Sequence, residues 1–423
     1  MAASVNSVLP ELSTLSKFEL RPLPCAFPFE CHPNHASLTR EVDEWAIRSL
    51  QARGSMPKRQ MIIESKISAA ACMTIPRGRD DRKMVLAGKH LWALFLLDDA
   101  LESCRSQEAA RVLARRAVEV ARGDQLEGMI QEERELEEAK GFARKFAIQE
   151  EQGDRYNDQS RGIPAKIPIQ EDPGLIDLAT RGMATKIPIT EEDQGRDARW
   201  ALGLFREVVA ELRRSMPRPM FDRYLRYLDR YLEAVIQEVG YQIAGHIPRE
   251  DEYRELRRGT SFTEGTSAIF GELCMGLELH ESVTSSRDFI EFVALVADHI
   301  ALTNDVLSFR KDFYAGVAHN WLVVLLRHSH RGTGFQSALD SVYGMIRDSE
   351  RRILGLQSRI EAQALKSGDG HLLSFAQAFP LCLAGNRRWS SITARYHGIG
   401  NPLITGVEFH GTWLLHPDVT IVI

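Results

Sequence analysis

The chain has 423 residues, 44% hydrophobic and 26% charged, with 53 Lys+Arg against 58 Asp+Glu and a net charge of -5. That composition suits a globular core and excludes global disorder, a fibre or a repeat array. A balance so near neutral lacks the basic footprint of a nucleic-acid surface, so no nucleic-acid partner is expected. Length alone allows two or three domains at roughly 150 residues each.

Six cysteines are scattered along the chain and none forms a CxxC pair. They read as reduced thiols in a cytoplasmic protein rather than a zinc or disulfide framework. No basic-then-apolar leader is expected near Met1–Glu19. No apolar run is expected to reach the roughly 18 residues of a membrane span. The longest, Leu91–Leu97, stops at Asp98 and Asp99.

Residues 1–37 carry Pro22, Pro24, Pro28 and Pro33 and read as an irregular lead-in. Helical periodicity starts near Ser37, with Leu38, Val42, Trp45, Ala46 and Leu50 on one face. A second helix is predicted from about Lys83 to Glu102, apolar nearly all round, and a third over about Gln107–Val120. From Arg122 to Gly195 the chain is charged, and Arg161–Glu171 recurs as Arg181–Glu191. Two copies are too few for a solenoid, and Lys-Ile-Pro-Ile cannot continue a helix through its proline. The segment 122–195 reads as a partly disordered insertion, with a charged helix predicted near 128–147.

Helical patterning returns at 197–214, 218–244 and 251–279, the last broken at Arg258-Gly259-Thr260. It continues over 286–314, 319–328, 334–366 and 371–397, with a turn at Gly316. No alternating stretch is evident outside the tail, 403–423. The fold class is therefore all-α, with about ten helices too apolar to be surface helices alone.

Four features carry chemistry. Asp98, Asp99 and Glu102 close the second helix, spaced so that their carboxylates share a face. Such a cluster suits a hard cation such as Mg²⁺, although a helix ending in solvated acids has the same pattern. Asn304, Ser308 and Asp312 step by four along another helix, with Lys311 beside them. An amide oxygen, a hydroxyl and a carboxylate in one stripe can chelate one Mg²⁺, with water and phosphate completing the shell. Arg257-Arg258-Gly259 sits 46 residues before Asn304, counted from Arg258, and can present a guanidinium fork to a diphosphate. Arg395 and Tyr396 end the last helix and can both donate to phosphate oxygens. His32, His35 and His319-Asn320 read as turn and helix-start residues rather than metal ligands.

In order and spacing these motifs resemble class I terpene synthases, specifically the fungal sesquiterpene cyclases. The segments Leu256–Thr260, Asn304–Asp312 and Gly385–Tyr396 are most similar to the presilphiperfolanol-synthase branch. The resemblance covers about 38–121 and 196–400. It implies one helical bundle domain, 38–400, around a central cavity, with the insertion at 122–195 and a tail at 401–423. It implies three Mg²⁺ ions held by Asp98, with Asp99 or Glu102, and by Asn304, Ser308 and Asp312. Arg258, Lys311, Arg395 and Tyr396 would donate to the diphosphate of farnesyl diphosphate, the most expected isoprenyl substrate. Its cation would be walled by Phe95 and Trp389, near Trp92 and Leu94. Two departures stand out: Asp312 where Glu is commoner, and Phe262 where many relatives have Gly. Alternatives are a geranyl or geranylgeranyl diphosphate cyclase, a chain-elongating prenyltransferase and a non-catalytic helical scaffold. Related enzymes are often homodimers.

Overall fold

The computed structural model describes residues 17–52, 59–123, 194–328, 334–398 and 411–414. The helices are α1 (His35–Ala52), α2 (Arg59–Ser65), α3 (Ile67–Thr74), α4 (Asp81–Glu102), α5 (Gln107–Arg122), α6 (Gln194–Ser215), α7 (Arg218–Ala244) and α8 (Glu250–Thr260). A π-helical turn, Glu264–Ile269, leads into α9 (Phe270–Met275) and the short α10 (Glu281–Thr284). Then come α11 (Arg287–Tyr314), α12 (Trp321–His328), α13 (Phe335–Ser367), α14 (Gly370–Ala378), α15 (Leu381–Ile392) and α16 (Ala394–His397).

The all-α class holds, with one addition. Lys17–Leu20 (β1) pairs antiparallel with Gly411–Leu414 (β2), so the lead-in is not wholly irregular and the two ends of the described chain meet. Leu20 is buried against the α12–α13 core, which gives the strand a reason to stay. The 128–147 helix and the duplicated segment lie outside the described residues.

Local signals set the helix ends. The Asp80 carboxylate accepts from the amides of Arg82 and Lys83 and starts α4. Ser106 does the same for α5, which ends at Gly123 with φ +75°. Ser286 caps α11 through the Phe289 amide. Gly316, at φ +71°, makes the turn between α11 and α12. Sequence periodicity missed α2 and α3, because Ile67–Cys72 is buried on nearly every side and so shows no polar face. The run 371–397 is divided by Pro380 and again at Thr393, which has extended backbone.

Helix α4 packs on α1, α3 and α6, and α11 on α13 and α15. Three apolar clusters result, around α4, around α12 and around the α11–α14 contact. One described helix, covering Arg287–Phe313, is long and apolar enough to cross a membrane, contrary to the expectation from sequence. Its apolar window is 83% buried, so this is the packing of a core helix. All six cysteines are free thiols.

Candidate active site

A cavity of about 210 Å³ opens where α3, α4, α7, α11 and α15 converge. One side of its mouth is the end of α4. Asp98 and Glu102 line it, one turn apart, as their spacing predicts. Asp98 accepts a 2.7 Å hydrogen bond from the Tyr231 hydroxyl of α7. Burial, together with the nearby charges of Glu102 and Asp99, pushes Asp98 up to about 7, against the opposing effect of Tyr231 and Arg395. Asp99 points elsewhere. It is buried and grips the Arg395 guanidinium through both oxygens, one at 3.0 Å. Adjacent helical residues diverge by about 100°, and here the step from Asp98 to Asp99 turns the second carboxylate onto Arg395.

The opposite side is α11, whose Asn304, Ser308 and Asp312 form a stripe along two turns. Asn304 donates to the Tyr396 hydroxyl at 2.6 Å and accepts from Arg257 at 3.3 Å. Ser308 donates to Asp312 Oδ2 at 2.6 Å. Asp312 Oδ1 lies 3.0 Å from Lys311 Nζ. Burial works hardest against the Lys311 charge, yet Asp312, Glu102 and Tyr396 together outweigh it and the pKa is raised. Lys311 also sits 5.6 Å over the Tyr396 ring, and Arg395 lies 5.0 Å over Phe95. The Phe95 and Trp389 rings meet in a tilted pair with centroids 5.6 Å apart, and both residues line the cavity. Trp92 does not. Its indole donates to Ser68 at 2.8 Å inside the α3–α4 core, and Leu91 and Leu94 face the cavity instead.

Arg258 requires a correction. It turns outward, bound to both oxygens of Asp298 at 2.7 and 2.8 Å and to Glu255 at 2.6 Å. The cavity arginine of the pair is Arg257, which lies 2.6 Å from buried Asp305. The cause is again helical: α8 continues unbroken through Thr260, so consecutive arginines face different neighbours. The predicted break comes later, at Phe262, whose φ is +45°. Phe262 thus takes the left-handed conformation without being glycine, a strained state for a bulky side chain. Its carbonyl accepts from both the amide and the hydroxyl of Thr266, each at 2.9 Å, and so starts the π-helical turn.

Sequence reasoning missed several cavity residues. Tyr231 and Glu238 come from α7, which carries no recognised motif. Burial first, with Glu102, Asp98 and Asp305 nearby, pushes Glu238 up to about 8 against the influence of Arg257. Asn320 is fully buried and binds Asp312, so the His319-Asn320 pair is more than a helix start. His319 lines the cavity as a neutral imidazole, pushed down to about 4 by burial.

The donor set suits a hard cation. Its oxygens come from carboxylates, an amide and a hydroxyl, and the carboxylates at the α4 end repel one another. Ser308 gives its proton to Asp312, which leaves the hydroxyl lone pairs free. Among the described residues no group of three or more His, Cys, Asp or Glu forms a complete cage. A cation here would draw further ligands from water and substrate, as Mg²⁺ does.

An all-α fold that brings two oxygen-ligand motifs to one part-apolar cavity defines a class of metal- and diphosphate-handling enzymes. Residues 171–352 match the model for terpene synthase family 2, C-terminal metal binding. The chain is 34% identical over 420 residues to (E)-2-epi-beta-caryophyllene synthase of Selaginella moellendorffii, covering 99% of this chain and 96% of that one. It is 35% identical over 413 residues to (3S,6E)-nerolidol synthase of the same organism, covering 97% and 92%. Germacradien-4-ol synthase from Streptomyces citricolor has the same fold, with TM-score 0.61, 17% identity, and coverage of 88% and 98%. The chain belongs to the terpene synthase family. A fungal match, (1R,4R,5S)-(-)-guaia-6,10(14)-diene synthase of Fusarium mangiferae, is 30% identical but covers 42% of this chain and 45% of that one. The fungal affinity expected from the motifs finds no support in matches that span the chain.

Proposed function

We infer that the protein is a Mg²⁺-dependent sesquiterpene synthase. It ionises farnesyl diphosphate, turns the allylic cation into a sesquiterpene hydrocarbon or alcohol, and releases diphosphate. The observation that carries this reading is that Asp98 and Glu102 share one cavity with Asn304, Ser308 and Asp312, beside the apolar side chains of Leu91, Leu94, Phe95 and Trp389. Near-full-length similarity to two named sesquiterpene synthases supports the C15 substrate over the geranyl and geranylgeranyl alternatives. The residues of Leu256–Thr260, Asn304–Asp312 and Gly385–Tyr396 support a presilphiperfolanol-type branch within the sesquiterpene synthases. Free thiols throughout suit a cytoplasmic setting.

Bound Mg²⁺, three ions by the family resemblance, would neutralise diphosphate charge and make it a better leaving group. Asp98 and Glu102 would hold it on one side, and Asn304, Ser308 and Asp312 on the other. Lys311, Arg395 and Tyr396 donate to the departing oxygens from α11 and α16. Arg395 must exchange Asp99 for phosphate, a trade between two charge-assisted partners. Arg258 would have to leave Asp298 to join them, whereas Arg257 already stands at the wall. Phe95, Trp389 and Tyr396 present ring faces to passing positive charge, worth roughly 0.5–2 kcal/mol each. The same rings, with Leu91 and Leu94, keep water from the cation.

The test is incubation of purified protein with farnesyl diphosphate and Mg²⁺, with volatile products read by gas chromatography. Parallel runs use geranyl and geranylgeranyl diphosphate and an EDTA control. A terpene product that disappears with EDTA is expected. Elongated prenyl diphosphates, or no turnover of any substrate, would overturn the reading. Asp98→Asn and Asn304→Ala should each lower turnover by about 100-fold or more with an unchanged helical circular-dichroism spectrum. Near-normal activity in either would remove that residue from the site.

A further inference from the structure

The turn after α11 brings Asn320 back beside Asp312, eight residues earlier in the chain. Asn320 is fully buried. Its amide nitrogen donates to the Asp305 carbonyl at 2.8 Å and to Asp312 Oδ2 at 3.2 Å. Its oxygen accepts from the Leu322 amide at 3.0 Å and caps α12. A flipped amide would set oxygen against two acceptors and NH₂ against an N–H, so these three contacts fix its orientation.

The consequence falls on Asp312. Its Oδ2 already accepts hydrogen bonds from Ser308 and Asn320, while Oδ1 lies against Lys311, and Asp312 and Lys311 both line the cavity. We propose that Asn320 is a positioning residue: it holds Asp312 Oδ2 so that Oδ1 and the Ser308 lone pairs are presented together to a divalent cation. This rests on the metal-dependent reading above and adds to it a residue outside the Asn304–Ser308–Asp312 stripe.

Two variants test it. Asn320→Asp keeps the oxygen that caps α12 and loses the donor to Asp312; Asn320→Ala loses both. Binding of Mg²⁺ with inorganic diphosphate is followed by calorimetry, and the Mg²⁺ dependence of farnesyl diphosphate turnover is measured alongside. Both variants should weaken Mg²⁺-diphosphate binding about 10–100-fold and raise the Mg²⁺ midpoint to match. KM for farnesyl diphosphate at saturating Mg²⁺ should stay within about threefold. A variant with a lower melting temperature but an unchanged Mg²⁺ midpoint would overturn the proposal and leave Asn320 as a helix cap. If Asn320→Ala does not fold, Asn320→Asp decides alone. Absence of Mg²⁺-diphosphate binding in the unaltered chain would instead sink the proposed function, and this proposal with it.

Discussion

At the residue scale, two neighbouring pairs show how one helical step assigns different work to identical side chains. Asp98 faces the cavity and Asp99 holds Arg395; Arg257 faces the cavity and Arg258 holds Asp298. The charge was legible in both motifs. Its direction was not, because it depends on which helices pack alongside. The Arg257–Asp305 pair is nearly dry, with side chains 14% and 2% exposed. Arg257→Ala should therefore cost about 3–5 kcal/mol of stability by leaving Asp305 buried and unpaired. Turnover should fall with it, since the same guanidinium supports Asn304. Arg258→Ala leaves buried Asp298 with Arg254 at 3.8 Å, so it should cost less stability and less turnover than Arg257→Ala. Urea unfolding and steady-state rates on the two variants check the order. The reverse order would restore Arg258 as the cavity arginine.

At the element scale, the segment after α8 turns on Phe262. Its ring is buried against Tyr231 at 5.0 Å and Tyr224 at 6.0 Å, and that packing holds the left-handed backbone in place. The ring also explains Gly265: a Cβ there would lie 2.1 Å from Phe262 Cζ. Gly265→Ala should destabilise by about 3 kcal/mol, the upper end of overpacking costs. The same change in a Phe262→Ala background should cost much less, because the clash disappears. Denaturant unfolding of the single and double variants gives the coupling energy. Additive effects would mean that the Phe262 ring does not dictate Gly265. Motif reading located a break here through its polar and glycine residues. The break itself lies at Phe262, which the motif comparison marked as a departure from glycine but not as the point where the helix ends.

At the scale of the whole molecule, residues from Asp98 to Tyr396 meet in one cavity, and we propose that 38–400 is one domain. The helices flanking the insertion are tied without it. Helix α5 packs on α6, and Arg213 of α6 donates to the Ala121 carbonyl at 2.6 Å. Deletion of 150–190 should therefore leave a folded enzyme with unchanged products, because closing a shorter connection changes the loop entropy only slightly. Circular dichroism and product profiles check this. Loss of folding would make the insertion part of the core.

Sequence alone determined the all-α class, most helix positions, the acidic end of α4 and the stripe on α11. These are local properties, set by periodicity and spacing along one helix, and they survive whatever the helix packs against. The β1–β2 pair, the buried α3, the outward turn of Arg258, the Asp99–Arg395 clamp and the placing of Tyr231, Glu238 and Asn320 were decided only by tertiary structure. Each depends on a partner contributed by another element, and a single chain of residue types carries no record of which neighbour folding will bring near.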